Sequence, residues 1–210
     1  MKNDVVLILA PHTDDGELGC GGTIARFVEE GKKIYYAAFS TAAESVPPPF
    51  PPNILEQEVK KATDVLGIPE GNLILFDYQV RKLEYKRQEV LDDLIKLKQE
   101  VNPAIVFLPC ANDLHQDHIT IYNEGLRAFK QCTMLGYELP WNNITFHTRH
   151  FVILQERHIA KKYEAMHCYC SQRNRHYVDE DFIYGLARTR GVQLGTDYAE
   201  AFDVIRWVLA

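Results

Sequence analysis

The sequence predicts a single α/β domain, a Rossmann-like three-layer sandwich with a mostly parallel sheet, and three observations carry that expectation. Short runs of Val, Ile and Leu without polar alternation recur along the chain, the pattern of strands buried on both faces. Stretches of helical period separate them, and alternating strands and helices imply right-handed crossovers with helices covering both faces of the sheet. At 210 residues, 46% hydrophobic and 25% charged, the chain can bury one full core, so residues 1–210 read as one domain.

In chain order, Asp4 to Ala10 is the first strand, and Cys20 to Glu30 reads as a helix closed by Gly31 in the manner of a C-cap. Lys33 to Ser40 is a second strand, Leu55 to Leu66 a helix ending at Gly67, and Leu73 to Tyr78 a third strand. Lys86 to Glu100 is a long amphipathic helix and Ala104 to Pro109 a fourth strand. A helix then runs from Ile119 to Lys130, Phe146 to Leu154 is a strand, Ile159 to Cys168 a helix, and the ending is mixed. Between Val46 and Asn53, five prolines forbid regular helix and favour an extended surface loop. That loop is either a stiff connector or a rim of the cleft that forms beyond strand carboxyl ends.

Composition removes several function classes. A formal net charge of −6 argues against nucleic acid as a partner, because phosphate-backbone binding needs clustered Lys and Arg. The opening residues lack the long apolar region of a signal peptide, and no run reaches membrane-spanning length, so no stable membrane insertion is expected. Five scattered cysteines, an odd number, suit reduced thiols, and the expected location is the cytoplasm.

Chemistry concentrates after two of the strands. The first ends in Pro11-His12-Thr13-Asp14-Asp15-Gly16-Glu17, which puts an imidazole and two adjacent carboxylates at the edge of the sheet where open α/β folds bind ligands. The fourth is followed by Asn112-Asp113-Leu114-His115-Gln116-Asp117-His118, which brings more imidazoles and carboxylates to the same edge. A His-Asp pair plus one distant His is a catalytic zinc set with an open fourth position. Adjacent side chains in a turn diverge, so one of Asp14 and Asp15 is left to act as general base. Taken singly, Asp14-Asp15-Gly16 is ordinary turn chemistry and Asp117 a helix cap; taken together they point to a metal site. Cys168-Tyr169-Cys170 reads as a helix end, the remaining histidines as surface or packing residues, and the glycines of Gly19 to Thr23 as allowing close packing where the first helix starts.

These residues resemble the LmbE-like, or PIG-L, family of zinc-dependent N-acetylglucosaminyl deacetylases. Its first motif, usually His-Pro-Asp-Asp followed by Glu-Leu and Gly-Cys-Gly-Gly-Thr, stands here as His12-Thr13-Asp14-Asp15, Glu17-Leu18 and Gly19 to Thr23. Its second, usually His-Pro-Asp-His, stands as His115-Gln116-Asp117-His118. The resemblance implies that His12, Asp15 and His118 bind Zn2+, or another divalent transition metal, and that Asp14 is the base. It further implies that His115 stabilises or protonates the tetrahedral intermediate, that Asp117 orients His115, and that the chain assembles into a homo-oligomer. Looser matches at Tyr169 to Gln172, Arg190-Gly191 and Tyr198 to Phe202 make Arg190 and Glu200 substrate-contact candidates. Trp141 is either a platform for a sugar ring or loop packing.

Thr13 and Gln116 replace the two motif prolines without removing a ligand, and Leu55 stands where many members carry an arginine. The implied reaction is removal of the N-acetyl group from an amino sugar or sugar conjugate, in polysaccharide or glycoconjugate synthesis. The alternatives are hydrolysis of another small acyl amide and a non-catalytic metal-binding or ligand-binding module.

Overall fold

The computed structural model describes residues 4–209. Seven strands form one sheet: β1 (Val5–His12), β2 (Lys33–Ser40), β3 (Leu73–Leu75), β4 (Ile105–Pro109), β5 (Thr133–Tyr137), β6 (His150–Leu154) and β7 (Tyr198–Arg206). Their order is β3-β2-β1-β4-β5-β7-β6. The first five run parallel, while β7 lies antiparallel to β5 and β6 antiparallel to β7. The mostly parallel α/β sandwich expected from the sequence is the observed architecture.

The unbroken apolar run of β1 has a direct cause. Val6, Ile8 and Ala10 face one core, which also takes Ile24, Val59 and Ile159 from the helices α1 (Asp15–Glu29), α2 (Ile54–Val65) and α5 (Glu156–His167). Leu7 and Leu9 face the other core, beneath α3 (Arg87–Val101) and α4 (Gln116–Ala128), with Leu94 and Ile121. Helix α6 (Glu180–Val192) adds Ile183 and Ala187 to the first core. Both faces of β1 are therefore removed from water, and no polar alternation is tolerated.

From β1 the chain passes through α1 to β2 on one side, and later through α3 to β4 on the other side of β1. The carboxyl ends of β1 and β4 thus flank a topological switch point, where the connections leave in opposite directions and a crevice opens.

Three expectations need correction. Helix α1 begins at Asp15 rather than Cys20, because Cys20, at φ −148°, ψ 24°, is a kink joining two helical pieces. Glu200 explains the break: its carboxylate accepts the freed N–H groups of Gly22 at 3.1 Å and Thr23 at 2.7 Å, capping the second piece. Strand β3 pairs only over Leu73–Leu75, although Phe76 and Tyr78 still donate to β2 carbonyls. Strand β5 has no counterpart in the sequence expectation; its glycine, Gly136, reads as a breaker but eases a close approach, since a Cβ there would lie 3.0 Å from the Cys110 Cα. No helix among the described residues is long and apolar enough to cross a membrane.

Candidate metal centre

Strand β1 ends at His12, paired with Ser40, and the chain turns through Thr13 and Asp14 straight into α1. Close approach of that helix to the sheet depends on glycine: a Cβ on Gly16 would meet the Tyr36 ring at 2.4 Å, and one on Gly19 the Tyr137 ring at 2.4 Å. The turn is also held from behind. The hydroxyls of Tyr36 and Tyr169 approach the Thr13 carbonyl at 2.8 and 2.7 Å, and both contact the buried Glu17 carboxyl. Burial pushes Glu17 up to about 8, so the neutral acid can share the hydrogen-bond chain with the two phenols.

On the outer side of this turn three donor atoms converge. The Asp15 Oδ2 atom lies 3.0 Å from His12 Nδ1 and 3.2 Å from His118 Nε2, and the two ring nitrogens are 3.3 Å apart. A tetrahedral zinc with bonds of about 2.0–2.2 Å separates its ligand atoms by about 3.3–3.6 Å, so the triangle fits three corners of such a site within a few tenths of an ångström. The His12, His115 and His118 rings also each offer a nitrogen within 4.8 Å of the others. Of these two sets, the one containing Asp15 is tighter and mixes imidazole with carboxylate, as open metal sites do.

Each imidazole of the triangle is held from its other side. His12 Nε2 meets Asp117 Oδ2 at 3.0 Å, and His118 Nδ1 meets Asp113 Oδ2 at 2.8 Å. Such carboxylates keep the proton on the far nitrogen and leave the near one free for a metal. The Asp117 carboxylate thus meets His12, whereas the family resemblance implies that it orients His115. Contact with His115 runs the other way: the Asp117 backbone N–H donates to His115 Nδ1 at 3.2 Å, making His115 the N-cap of α4. That bond leaves the ring proton on His115 Nε2. Asp113 was passed over in the sequence because a lone Asp two residues before a His has no distinctive spacing.

Electrostatics separates the two neighbouring aspartates. Burial penalises the Asp15 carboxylate, but the His118 and His12 charges outweigh it and hold Asp15 well below the usual carboxylate range. Burial and the adjacent Asp15 charge push Asp14 up to about 6, and its carboxylate bonds to no neighbouring side chain among the described residues. Desolvation and the nearby His12 and His118 bring His115 down to about 4. Burial opposes charge on His12 and His118 as well, yet Asp15 with Asp117 pushes His12 up to about 9, and Asp15 with Asp113 pushes His118 up to about 10.

A cleft of about 320 Å³ opens over Asp14, His115 and the triangle. Trp141 lines it, stacked on Tyr177 with centroids 4.2 Å apart and planes at 17°, so the aromatic segment borders the site. The proline-rich loop contributes through its flanks, Ser45 and Leu55, which line the cleft while the prolines do not. Arg190 and Glu200 lie elsewhere. Arg190 forms a forked pair with Glu138 at 2.7 and 2.6 Å, and Glu200, 6% exposed, pairs with buried Lys162 at 2.7 Å besides capping the kinked helix.

A model of the family described as PIG-L: GlcNAc-PI de-N-acetylase matches residues 7–129, more than half of the chain and both motifs. The chain is 26% identical over 171 residues, 79% of itself and 90% of its relative, to the uncharacterized deacetylase YaiS of Escherichia coli. It is 32% identical over 130 residues, 56% of each, to a probable N-acetyl-alpha-D-glucosaminyl L-malate deacetylase 2 of Bacillus anthracis. In fold it is similar to the N,N'-diacetylchitobiose deacetylase of Pyrococcus horikoshii, with a TM-score of 0.81 and 20% identity over 97% of this chain and 84% of that one.

Because Glu200 joins a cap to a buried ion pair, Glu200→Ala is expected to lower unfolding stability by about 3–5 kcal/mol, leaving Lys162 buried without its partner. Urea denaturation measures this. A variant of unchanged stability with a raised KM would return Glu200 to the substrate side.

Proposed function

Since the chain belongs to the PIG-L family of GlcNAc-PI de-N-acetylases, we propose that it is a zinc-dependent hydrolase that removes the N-acetyl group from an amino sugar or sugar conjugate. The observation that carries the reading is the triangle of His12, Asp15 and His118 beside the unpartnered Asp14. A structural zinc site closes with four protein ligands, whereas this set leaves one position open and a carboxylate spare. The five free cysteines support a reducing, cytoplasmic setting.

His12, Asp15 and His118 would hold the zinc, which when bound would supply Lewis acidity to an acyl carbonyl and lower the pKa of water towards 7. Asp14, raised towards neutrality, takes a proton from the attacking water as the water oxygen bonds to the acyl carbon. The carbonyl electrons move onto oxygen, where neutral His115 donates its Nε2 proton as a hydrogen bond. Asp14 then gives its proton to the sugar nitrogen as the C–N bond breaks, releasing the amine and acetic acid, which ionises to acetate in water. Asp117 and Asp113 touch none of the reacting atoms and act by positioning His12 and His118.

Acetate release from N-acetylglucosamine and its conjugates by zinc-loaded protein is the direct test. Asp14→Asn is expected to retain metal and lose about 10²–10⁴-fold in kcat. Loss of metal from Asp14→Asn with retention in Asp15→Ala would reverse the two roles, and no acetate from any N-acetyl sugar would remove the sugar substrate.

Metal affinity should depend steeply on pH. With His12 near 9 and His118 near 10 in the metal-free protein, binding displaces one proton from each ring. Apparent affinity therefore rises with pH, by up to about 100-fold per unit below pH 9. Chelator competition at pH 6, 7 and 8 reads this, and a flat profile would exclude both imidazoles as ligands. In the same assay Asp113→Ala is expected to weaken binding by about 10–100-fold.

A further inference from the structure

Beside the metal centre the cleft carries one arginine. Of the residues lining it, Arg175 alone is Lys or Arg, whereas Asp14 and Asp15 bring two carboxylates. Acidic residues outnumber basic ones in the chain, 29 to 23, yet the Arg175 guanidinium is exposed and enters no ion pair or hydrogen bond among the described residues. The nearest acid in sequence, Asp179, is engaged as the cap of α6, accepting from the Asp181 N–H at 3.1 Å.

Its backbone is anchored on both sides. The Arg175 N–H donates to the Gln172 carbonyl at 2.9 Å, and the Val178 N–H donates to the Arg175 carbonyl at 3.1 Å. Two residues on, Tyr177 forms the aromatic stack with Trp141 in the same cleft. A flat aromatic surface and a forked, permanently charged donor thus line the same cleft, the latter on an anchored backbone.

We propose that Arg175 is a specificity residue that clamps an anionic group, phosphate or carboxylate, carried by the substrate beside its amino-sugar ring. The sugar in this inference rests on the deacetylase reading; the clamp does not. A guanidinium offers five N–H donors in one plane and takes either anion through two parallel bonds. Arg175 has no acidic partner of its own among the described residues, so its charge is available to an anionic group on the substrate.

Calorimetric binding of glucosamine 1-phosphate, carboxymethyl glucosaminide and neutral methyl glucosaminide to the zinc-loaded protein tests the clamp, with Arg175→Met and Arg175→Glu alongside. One anionic ligand is expected to bind about 10–100-fold more tightly than the neutral one, and the two arms identify which anion. That ratio should fall to near one in Arg175→Met and below one in Arg175→Glu. Equal binding of all three ligands, or a preference that survives Arg175→Met, would overturn the proposal. Acetate release from the N-acetylated counterparts separates the two readings: an Arg175-dependent preference without acetate refutes the deacetylase and leaves the clamp, and acetate without the preference does the reverse.

Discussion

The site depends on two carboxylate–imidazole pairs, Asp117 with His12 and Asp113 with His118. A fully buried carboxylate is costly unless its oxygens are satisfied, and both are. Asp117, fully buried, also accepts the backbone N–H groups of Arg81 at 2.6 Å and Leu83 at 3.2 Å. Asp113, 4% exposed, also accepts the His115 N–H at 2.8 Å. Reaching Asp117 puts Arg81 at φ +65°, a left-handed conformation that costs a residue with a Cβ about 1–3 kcal/mol. Charge-assisted hydrogen bonds offset that strain, and the segment before α3 is fastened to the start of α4 as a result.

Those pairs also explain how Asp14 and Asp15, adjacent in sequence, come to differ. Asp15 lies against two imidazoles kept basic by their own carboxylates, so its charge is stabilised from both sides. Asp14 receives burial and the repulsion of Asp15 without a comparable partner, and its proton affinity rises. The proposed roles need a ligand ionised at neutral pH and a base able to hold a proton, and one turn offers both by pointing two identical groups into different surroundings. His115 follows the same logic with opposite sign. Desolvation, two nearby rings and the start of a helix disfavour its cation, keeping it a neutral donor.

Strand and helix alternation was legible because β1 is buried on both faces and its apolar run leaves no other assignment. The two clusters were legible because each follows such a strand. Pairing between side chains was not. Asp117 stands between His115 and His118 in sequence, yet the helical turn carries it to His12, more than a hundred residues away along the chain. Glu200 and Arg190 looked like exposed recognition groups because a charged residue near the chain end gives no sign of burial; their partners, the Cys20 kink with Lys162 and Glu138, exist only once the sheet is assembled. Strand β5 was hidden by the glycine that eases its approach to Cys110.

Fold alone does not determine the reaction, since the crevice at a topological switch point serves many chemistries. What narrows it here is an asymmetry in the donor set. His12, Asp15 and His118 form a tight triangle of donor atoms, while Asp14 and His115 line the same cleft outside it. A water attacking an amide carbonyl needs a base on one side of the carbonyl carbon and a donor at its oxygen, and in the proposed reaction these two residues fill both roles while staying outside the ligand set. Tyr36, Tyr169 and Glu17 lock the turn that carries Asp14, so the proposed base sits on backbone held by buried hydrogen bonds rather than on a flexible loop. A site built only to store a metal would have no use for that rigidity at a residue outside the ligand set.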